Sequence, residues 1–333
     1  MGMKKHLRIG FFMTLLVLFV YIQLDIEYVD LPLVAQSSDF DWLRNLNVLP
    51  KFVHPDNNTE LFVPFNMSGT VERHFIACFV ISAPKNMQAR TAIRQTWGSV
   101  MKPVFVMGRS DIETTRLVIS EANMFDDIIV EDFYDSYLNL TLKTAFALKH
   151  FLRHLPNSAY FFKIDDDVFL DVDNLLSMIR DESTPKNAII GHLVPKAKPH
   201  RKKKSKYYLP HWLYENEFFP PYTDGPAYLI PGYMIQSIYE TAMTNPFFPM
   251  EDAFFVGEIA GKQLNYTLYN NIRFRTVKAP YLSPCLYDRY ITVHRILPYE
   301  TIDLWATLKT NYTCSIIERI LSNFYYRKNM YLE

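Results

Sequence analysis

Apolar residues in this chain fall into short unbroken runs, separated by segments in which they recur every three or four positions. Phe75–Ser82 is continuous and bounded by Pro84. Its length and β-branched content predict a strand buried on both faces. Val104–Met107, Ile128–Val130, Tyr160–Ile164 and Ala188–Ile190 read as further strands. Between them, Gln88–Trp97, Glu113–Asn123 and Asp173–Arg180 have helical character. The strongest helix is Leu138–Leu155, where Leu138, Leu142, Ala145 and Leu152 recur at helical spacing. Alternating strands and helices over short links predict βαβ units in an α/β fold: a doubly wound, mostly parallel sheet with helices on both faces. Ligands of such sheets gather outside the carboxyl ends of strands. The remainder, Ala227–Thr313, mixes strands with helices around Met234–Met243 and Ala253–Gly261.

The N-terminus follows another pattern. Residues 9–24 carry no charge and match the shortest membrane-spanning helices, with Lys4, Lys5 and Arg8 before them. A basic flank on a first apolar segment keeps the N-terminus cytoplasmic and sends the rest of the chain to the lumen. No A-x-A-like cleavage site follows, which favours one uncleaved transmembrane helix over a signal peptide. The expected organisation is a cytoplasmic tail at 1–8, a signal-anchor at 9–24, a luminal stem at 25–70 and a globular domain at 71–325. Pro32, Pro50, Pro55 and Pro64 mark the stem. A short span suits the thinner membranes early in the secretory route. Five N-x-[ST] sites, at Asn57, Asn66, Asn139, Asn265 and Asn311, agree with luminal exposure.

Composition narrows the picture further. Thirty-five basic residues balance thirty-five acidic ones, so bulk charge gives no reason to expect nucleic acid as a partner. Of the three cysteines, Cys78 falls in the first strand, as a small hydrophobe, while Cys285 and Cys314 share the C-terminal region and are expected to pair. No C-x-x-C spacing suggests a zinc site.

Chemistry enters with Asp165-Asp166-Asp167, placed where the strand Tyr160–Ile164 ends. Adjacent carboxylates repel, and burial worsens the repulsion. A hard divalent cation relieves it, and such ions complete their shell with phosphates and water. The alternative is an acidic turn or helix cap. Glu251-Asp252, before an apolar helix, suits either the helix dipole or general-base catalysis. Arg90 and Arg94 share one helix face and could serve a diphosphate or a surface acid. Lys143, one turn after Asn139, suggests a face directed at the acidic strand end.

Four segments together are similar to the β1,3-glycosyltransferase family, which includes β1,3-galactosyltransferases, β1,3-N-acetylglucosaminyltransferases and Fringe. They are R-T-A-I-R-Q-T-W-G (90–98), D-S-Y-L-N-L-T-L-K-T (135–144), F-K-I-D-D-D-V-F (162–169) and E-D-A-F-F-V-G (251–257). A fifth, Pro220-Pro221-Tyr222-x-x-Gly225-x-x-Tyr228, lies between the last two. The resemblance spans roughly residues 74–300. It implies a GT-A-like fold, a UDP-sugar donor, a glycan acceptor on protein or lipid, Mn²⁺, inversion at the anomeric carbon and residence in the Golgi membrane. By the same resemblance, Asp165 and Asp167 hold the metal with His294, and Asp252 is the base. Arg90, Arg94, Lys143, Asp165 and Asp166 are the candidate donor-binding residues, with Arg90 and Arg94 either reaching the diphosphate or organising the fold beneath the donor. Galactose is the expected sugar and N-acetylglucosamine the runner-up. A catalytically silent sugar-binding relative is a further alternative. The chain departs from the family pattern at Pro231-Gly232 and Ala253, which bears on acceptor geometry. The basic run Lys196–Lys206 reads as a solvated loop, or as a contact for an anionic acceptor through Lys202–Lys204.

Overall fold

The structure, a computed structural model, describes residues 49–65, 67, 75–279, 282–310 and 312–330. The expected tail and signal-anchor at 1–24 lie outside the described residues, as do Asn66 and Asn311. Among the described residues no helix is long and apolar enough to cross a membrane.

The strands are β1 (Glu60–Phe62), β2 (Ile76–Ile81), β3 (Val104–Arg109), β4 (Ile128–Tyr134), β5 (Tyr160–Asp165), β6 (Val168–Leu170), β7 (Ala188–Val194), β8 (Tyr222–Pro231), β9 (Thr267–Asn270), β10 (Phe274–Arg275) and β11 (Thr292–His294). The main sheet has the order β1-β4-β3-β2-β5-β8-β7-β9. From β4 to β5 the pairs are parallel, as the sequence predicts. Four of the seven strand pairs are parallel, β7 with β9 among them, so the sheet is mostly parallel as expected, with three antiparallel exceptions. β5 pairs antiparallel with β8, β8 antiparallel with β7, and β1 antiparallel with β4. Parallel neighbours need a crossover, usually a helix, and the link from β7 to β8 at 195–221 contains none. The sheet is therefore mixed. A separate sheet, β10-β11-β6, covers one end.

Helices pack on both faces. β5 shows why: Phe161 and Phe162 point to opposite sides and enter two different cores. On the Phe161 side lie α3 (Leu140–His154) and α5 (Ile235–Thr244); on the Phe162 side lie α1 (Met87–Gln95), α2 (Ile112–Phe125) and α4 (Val172–Arg180). Asp111 caps α2 by accepting from the Thr114 amide at 2.9 Å, and Asp171 caps α4 through Asn174 at 2.9 Å. The apolar residues of β2 are buried along its whole length, as a central parallel strand requires.

The expected stem is shortened by this architecture. Leu49 and Val53 lie in the main core and β1 extends the sheet, so the described part of the stem belongs to the domain. A polar cluster staples it down. Lys149 of α3 donates to the carbonyls of Val53 and Asn57 at 3.0 Å, and Thr59 Oγ1 donates to Glu131 at 2.7 Å. His150, fully buried, sits 2.6 Å from that same carboxylate. Glu60 completes a possible donor triad with Glu131 and His150. With Lys149 and Arg153 on its flanks, its charge is met by protein cations. Cys285 and Cys314 form a disulfide and Cys78 is a buried free thiol, as expected.

Candidate active site

The site begins at the end of β5. Period-two alternation puts Lys163 and Asp165 on one face, so the lysine that precedes the acidic turn lies beside its first carboxylate. Lys163 Nζ donates to Asp165 Oδ1 at 2.6 Å and also to the Gly225 carbonyl. After the turn, β6 runs antiparallel to β11, in a register that opposes Val168 to His294. That register brings a residue distant in sequence onto the acidic turn. His294 Nε2 lies 3.2 Å from Asp167 Oδ2, and its Nδ1 lies 3.1 Å from the Thr276 carbonyl. Ligand atoms of Asp165, Asp167 and His294 all lie within 4.8 Å of one another.

This donor set fits a hard or borderline divalent cation. Two carboxylates supply the charge, and the imidazole is oriented by a carbonyl on its far nitrogen, the usual second partner of a ligating histidine. Asp166 is directed elsewhere. Its Oδ2 accepts from Ser82 Oγ at 2.7 Å and from Asn86 Nδ2 at 2.9 Å, which ties the acidic turn to the loop between β2 and α1.

β8 supplies the opposite wall. Tyr228 stands opposite Lys163 in register, and its hydroxyl donates to Glu251. The Glu251 carboxylate lies 3.7 Å from Lys163 Nζ. Asp252 follows, and accepts from the amides of Gly225 at 2.9 Å and Ala253 at 2.8 Å. Glycine at 225 permits this approach, because a Cβ there would stand 3.1 Å from Asp252 Oδ2. The helix that Asp252 opens is wound as a π-helix over Ala253–Gln263, a rare winding that is frequent at functional sites. Asp165, Asp167, His294 and Asp252 all line one cleft of about 670 Å³.

Burial, reinforced by Glu251 and Asp224, pushes the Asp252 carboxyl up to about 8. Burial also raises Asp166 to about 6, against the hydrogen bonds from Ser82 and Asn86. Burial would raise Asp167 too, yet the hydrogen bond and charge of His294 hold it below the ordinary carboxylate value. His294 is raised in turn: Asp167 outweighs the burial that alone would lower it.

Arg90 and Arg94 do not line this cleft, which corrects their assignment as donor-binding residues and agrees with the alternative, that they organise the fold beneath it. Arg90 is fully buried and donates to Glu121 through Nε at 2.9 Å and NH2 at 2.6 Å, and to the Ala83 carbonyl at 2.7 Å. Arg94 pairs with Asp127 at 2.8 Å and Glu121 at 2.7 Å. Two arginines and two carboxylates satisfy each other inside the fold, and Arg90 supports from below the loop that holds Asp166. Truncating one partner of such a buried pair costs about 3–5 kcal/mol. Lys143 does line the cleft, but its ammonium is taken by the Ser82 carbonyl at 2.6 Å and Asp135 at 2.9 Å.

A profile of the galactosyltransferase family matches residues 88–265. The chain belongs to the galactosyltransferase family. It is 32% identical over 253 residues to rat UDP-GlcNAc:betaGal beta-1,3-N-acetylglucosaminyltransferase 7, covering 70% of this chain and 64% of that one. It is 32% identical over 245 residues to human beta-1,3-galactosyltransferase 1, covering 71% of this chain and 74% of that one. The chain thus spans somewhat less than two thirds of the rat relative's length. Looser likenesses to solved structures include the WbbM bifunctional glycosyltransferase, at TM-score 0.37 and 11% identity over 74% of this chain and 52% of that one. Another is the galactosyltransferase LgtC with donor and acceptor analogues, at TM-score 0.35 and 10% identity over 70% and 96%.

As a galactosyltransferase-family domain, the chain carries its departures unevenly. Pro231-Gly232 lies at the far end of β8, where Pro231 faces Tyr160, the β5 residue most distant from Asp165. Gly232 is required there, since a Cβ would meet the Ser158 carbonyl at 2.0 Å. Ala253 does line the cleft. Of the basic run, Lys198, His200 and Lys206 line it and Lys202–Lys204 do not. Asn139 is unsuited to modification, because its Nδ2 donates to the Tyr134 carbonyl at 2.7 Å; Asn57 and Asn265 are exposed. Sequence reasoning missed Lys163, Gly225 and Tyr228 as parts of the site. The alternation of Lys163 with Asp165 was the available signal for the first; the other two depend on cross-strand register.

Proposed function

We propose that this protein transfers a hexose, galactose in the first reading, from a UDP-sugar to a hydroxyl of a glycan acceptor on protein or lipid. The new linkage is β1,3 and the anomeric carbon inverts. Family membership supports the reaction class. The observation that carries the site assignment is the presence, in one cleft, of a metal-type donor triad and a separate buried carboxyl raised to about 8.

Asp252 is the base. A carboxylate whose proton affinity lies near working pH is matched to taking a hydroxyl proton as the bond forms. The acceptor oxygen attacks the anomeric carbon from the face opposite UDP, the bond to the β-phosphate oxygen breaks, and the proton ends on Asp252. The amides of Gly225 and Ala253 orient that carboxylate. Asp165, Asp167 and His294 would hold Mn²⁺, whose chemistry is to neutralise the charge gathering on the leaving diphosphate. Lys163 ties the first of these ligands to the Gly225 carbonyl, so the two ends of the cleft share one strut. A Golgi location with an N-terminal membrane anchor completes the reading, supported by the apolar run at 9–24 and the exposed sequons.

N-acetylglucosamine remains the second donor, because relatives named for either sugar match at equal identity. The test is direct: detergent-solubilised full chain, Mn²⁺, UDP-galactose or UDP-N-acetylglucosamine, a panel of β-linked acceptors, and product linkage read by NMR. Asp252→Asn runs alongside. Transfer that survives this substitution overturns the base assignment. Neither transfer nor donor hydrolysis from either donor would place the chain with silent, sugar-binding relatives.

A further inference from the structure

With Arg90 and Arg94 locked to Glu121 and Asp127, the expected cations for the donor diphosphate are absent from the cleft. The other cations in the walls are mostly committed. Lys143 and Lys163 are buried against protein acceptors, and Lys198 pairs with Glu217 at 2.8 Å. Arg295 differs. It is exposed, it lines the cleft next to His294, and among the described residues its guanidinium has no hydrogen-bond or ion-pair partner.

Its backbone is unusual as well. Arg295 has φ 65, in the left-handed region that costs a residue with a Cβ and favours glycine. The neighbours explain how it is held there. His294 pairs with Val168 on one side, and the Ile296 amide donates to the Asp167 carbonyl at 2.9 Å on the other. The chain is thus pinned at both flanks to the acidic turn, and the residue between them must adopt the left-handed conformation. An arginine at a position where glycine would be easier is the kind of local cost that accompanies functional sites.

We propose that Arg295 binds the diphosphate of the donor, an inference that rests on the nucleotide-sugar reading above. A guanidinium offers a planar pair of donors to phosphate oxygens, and it cannot lose its charge at working pH. Placed beside the Asp165–Asp167–His294 triad, it meets the same phosphates from the protein side and offsets part of the negative charge of three adjacent carboxylates. Arg295 is therefore a substrate-binding residue that stabilises departing UDP, and no proton transfer is asked of it.

The test uses the full chain with Mn²⁺ at fixed concentration. UDP binding is read by calorimetry and uridine binding by saturation-transfer NMR, for wild type, Arg295→Gly, Arg295→Ala and Arg295→Lys. Arg295→Gly should raise the Kd for UDP about tenfold or more, the loss expected of a charge-assisted bidentate contact. Arg295→Lys should fall between, and uridine, which has no phosphate, should bind unchanged. Glycine relieves the left-handed backbone, so Arg295→Gly should melt no lower than wild type. A purely structural arginine would give the opposite pair of results: lower melting and undisturbed UDP binding. UDP affinity within about twofold of wild type in both the Gly and Ala variants overturns the proposal while leaving the donor reading intact. Equal loss for UDP and uridine overturns it too, as general damage to the pocket. Wild-type protein that binds no UDP overturns the donor reading itself.

Discussion

At one end of the cleft Asp167 has a side chain 48% exposed, hydrogen-bonded to His294 and held below the ordinary carboxylate value. At the other end Asp252 is reached by two backbone amides, sits beside Glu251, and is pushed up to about 8. The residue type is the same and the proton affinities diverge. The cause is the partner: a titratable imidazole that can carry positive charge favours the ionised form, while burial and a like charge disfavour it. Pairs of carboxyl groups driven apart in this way are how one site separates electrostatic work from proton transfer.

Four outcomes would sharpen or break that contrast. The largest is expected from Asp252→Asn, which should lower kcat by about 10³-fold with little change in UDP affinity. A parallel loss of UDP binding would mean that the two ends are not separate. Asp167→Asn should show the reverse signature, weakening Mn²⁺-dependent UDP binding by about 10²-fold, as measured by calorimetry with and without the metal.

Acidity gives the third. Asp252 acts as a base only when ionised, so kcat/KM should climb with pH, about tenfold per unit, and level off above about 8. Glu251 and Asp224 raise this carboxyl and Lys163 opposes them. Glu251→Gln removes one of the like charges and should move the rising limb to lower pH; a limb that stays in place would assign it to some other group. The smallest effect belongs to Lys202→Ala/Lys203→Ala/Lys204→Ala. These lysines do not line the cleft, so rates on neutral and anionic acceptors should both stay within about twofold of wild type. Selective loss on anionic acceptors would restore a role for the loop.

Much of the fold is legible in the sequence. β2, β3, β4 and β5 and the helices between them lie close to where hydrophobic runs and helical spacing put them, because each is a local pattern with one buried solution. The switch to antiparallel pairing at β8 was hidden, since it depends on a helix-free link and on which edge of β5 was open. The site divides the same way. Asp165, Asp167 and Asp252 carried a visible chemical problem, unpaired carboxylates beside apolar elements. Arg90 and Arg94 carried an equally visible charge, yet their partners Glu121 and Asp127 lie a helix away and no spacing announces them.

From its sequence alone this protein was bound to form an α/β sheet with an acidic turn at the end of a central strand, because alternation and burial act over a few residues. What only the tertiary structure decided is which charges remain available. The β6–β11 register delivers His294 to Asp167 and leaves Arg295 beside it, Gly225 brings its amide to Asp252, and α2 takes both family arginines out of the cleft. Those outcomes turn on contacts between residues far apart in the chain, where a shift of one position in register would exchange every partner.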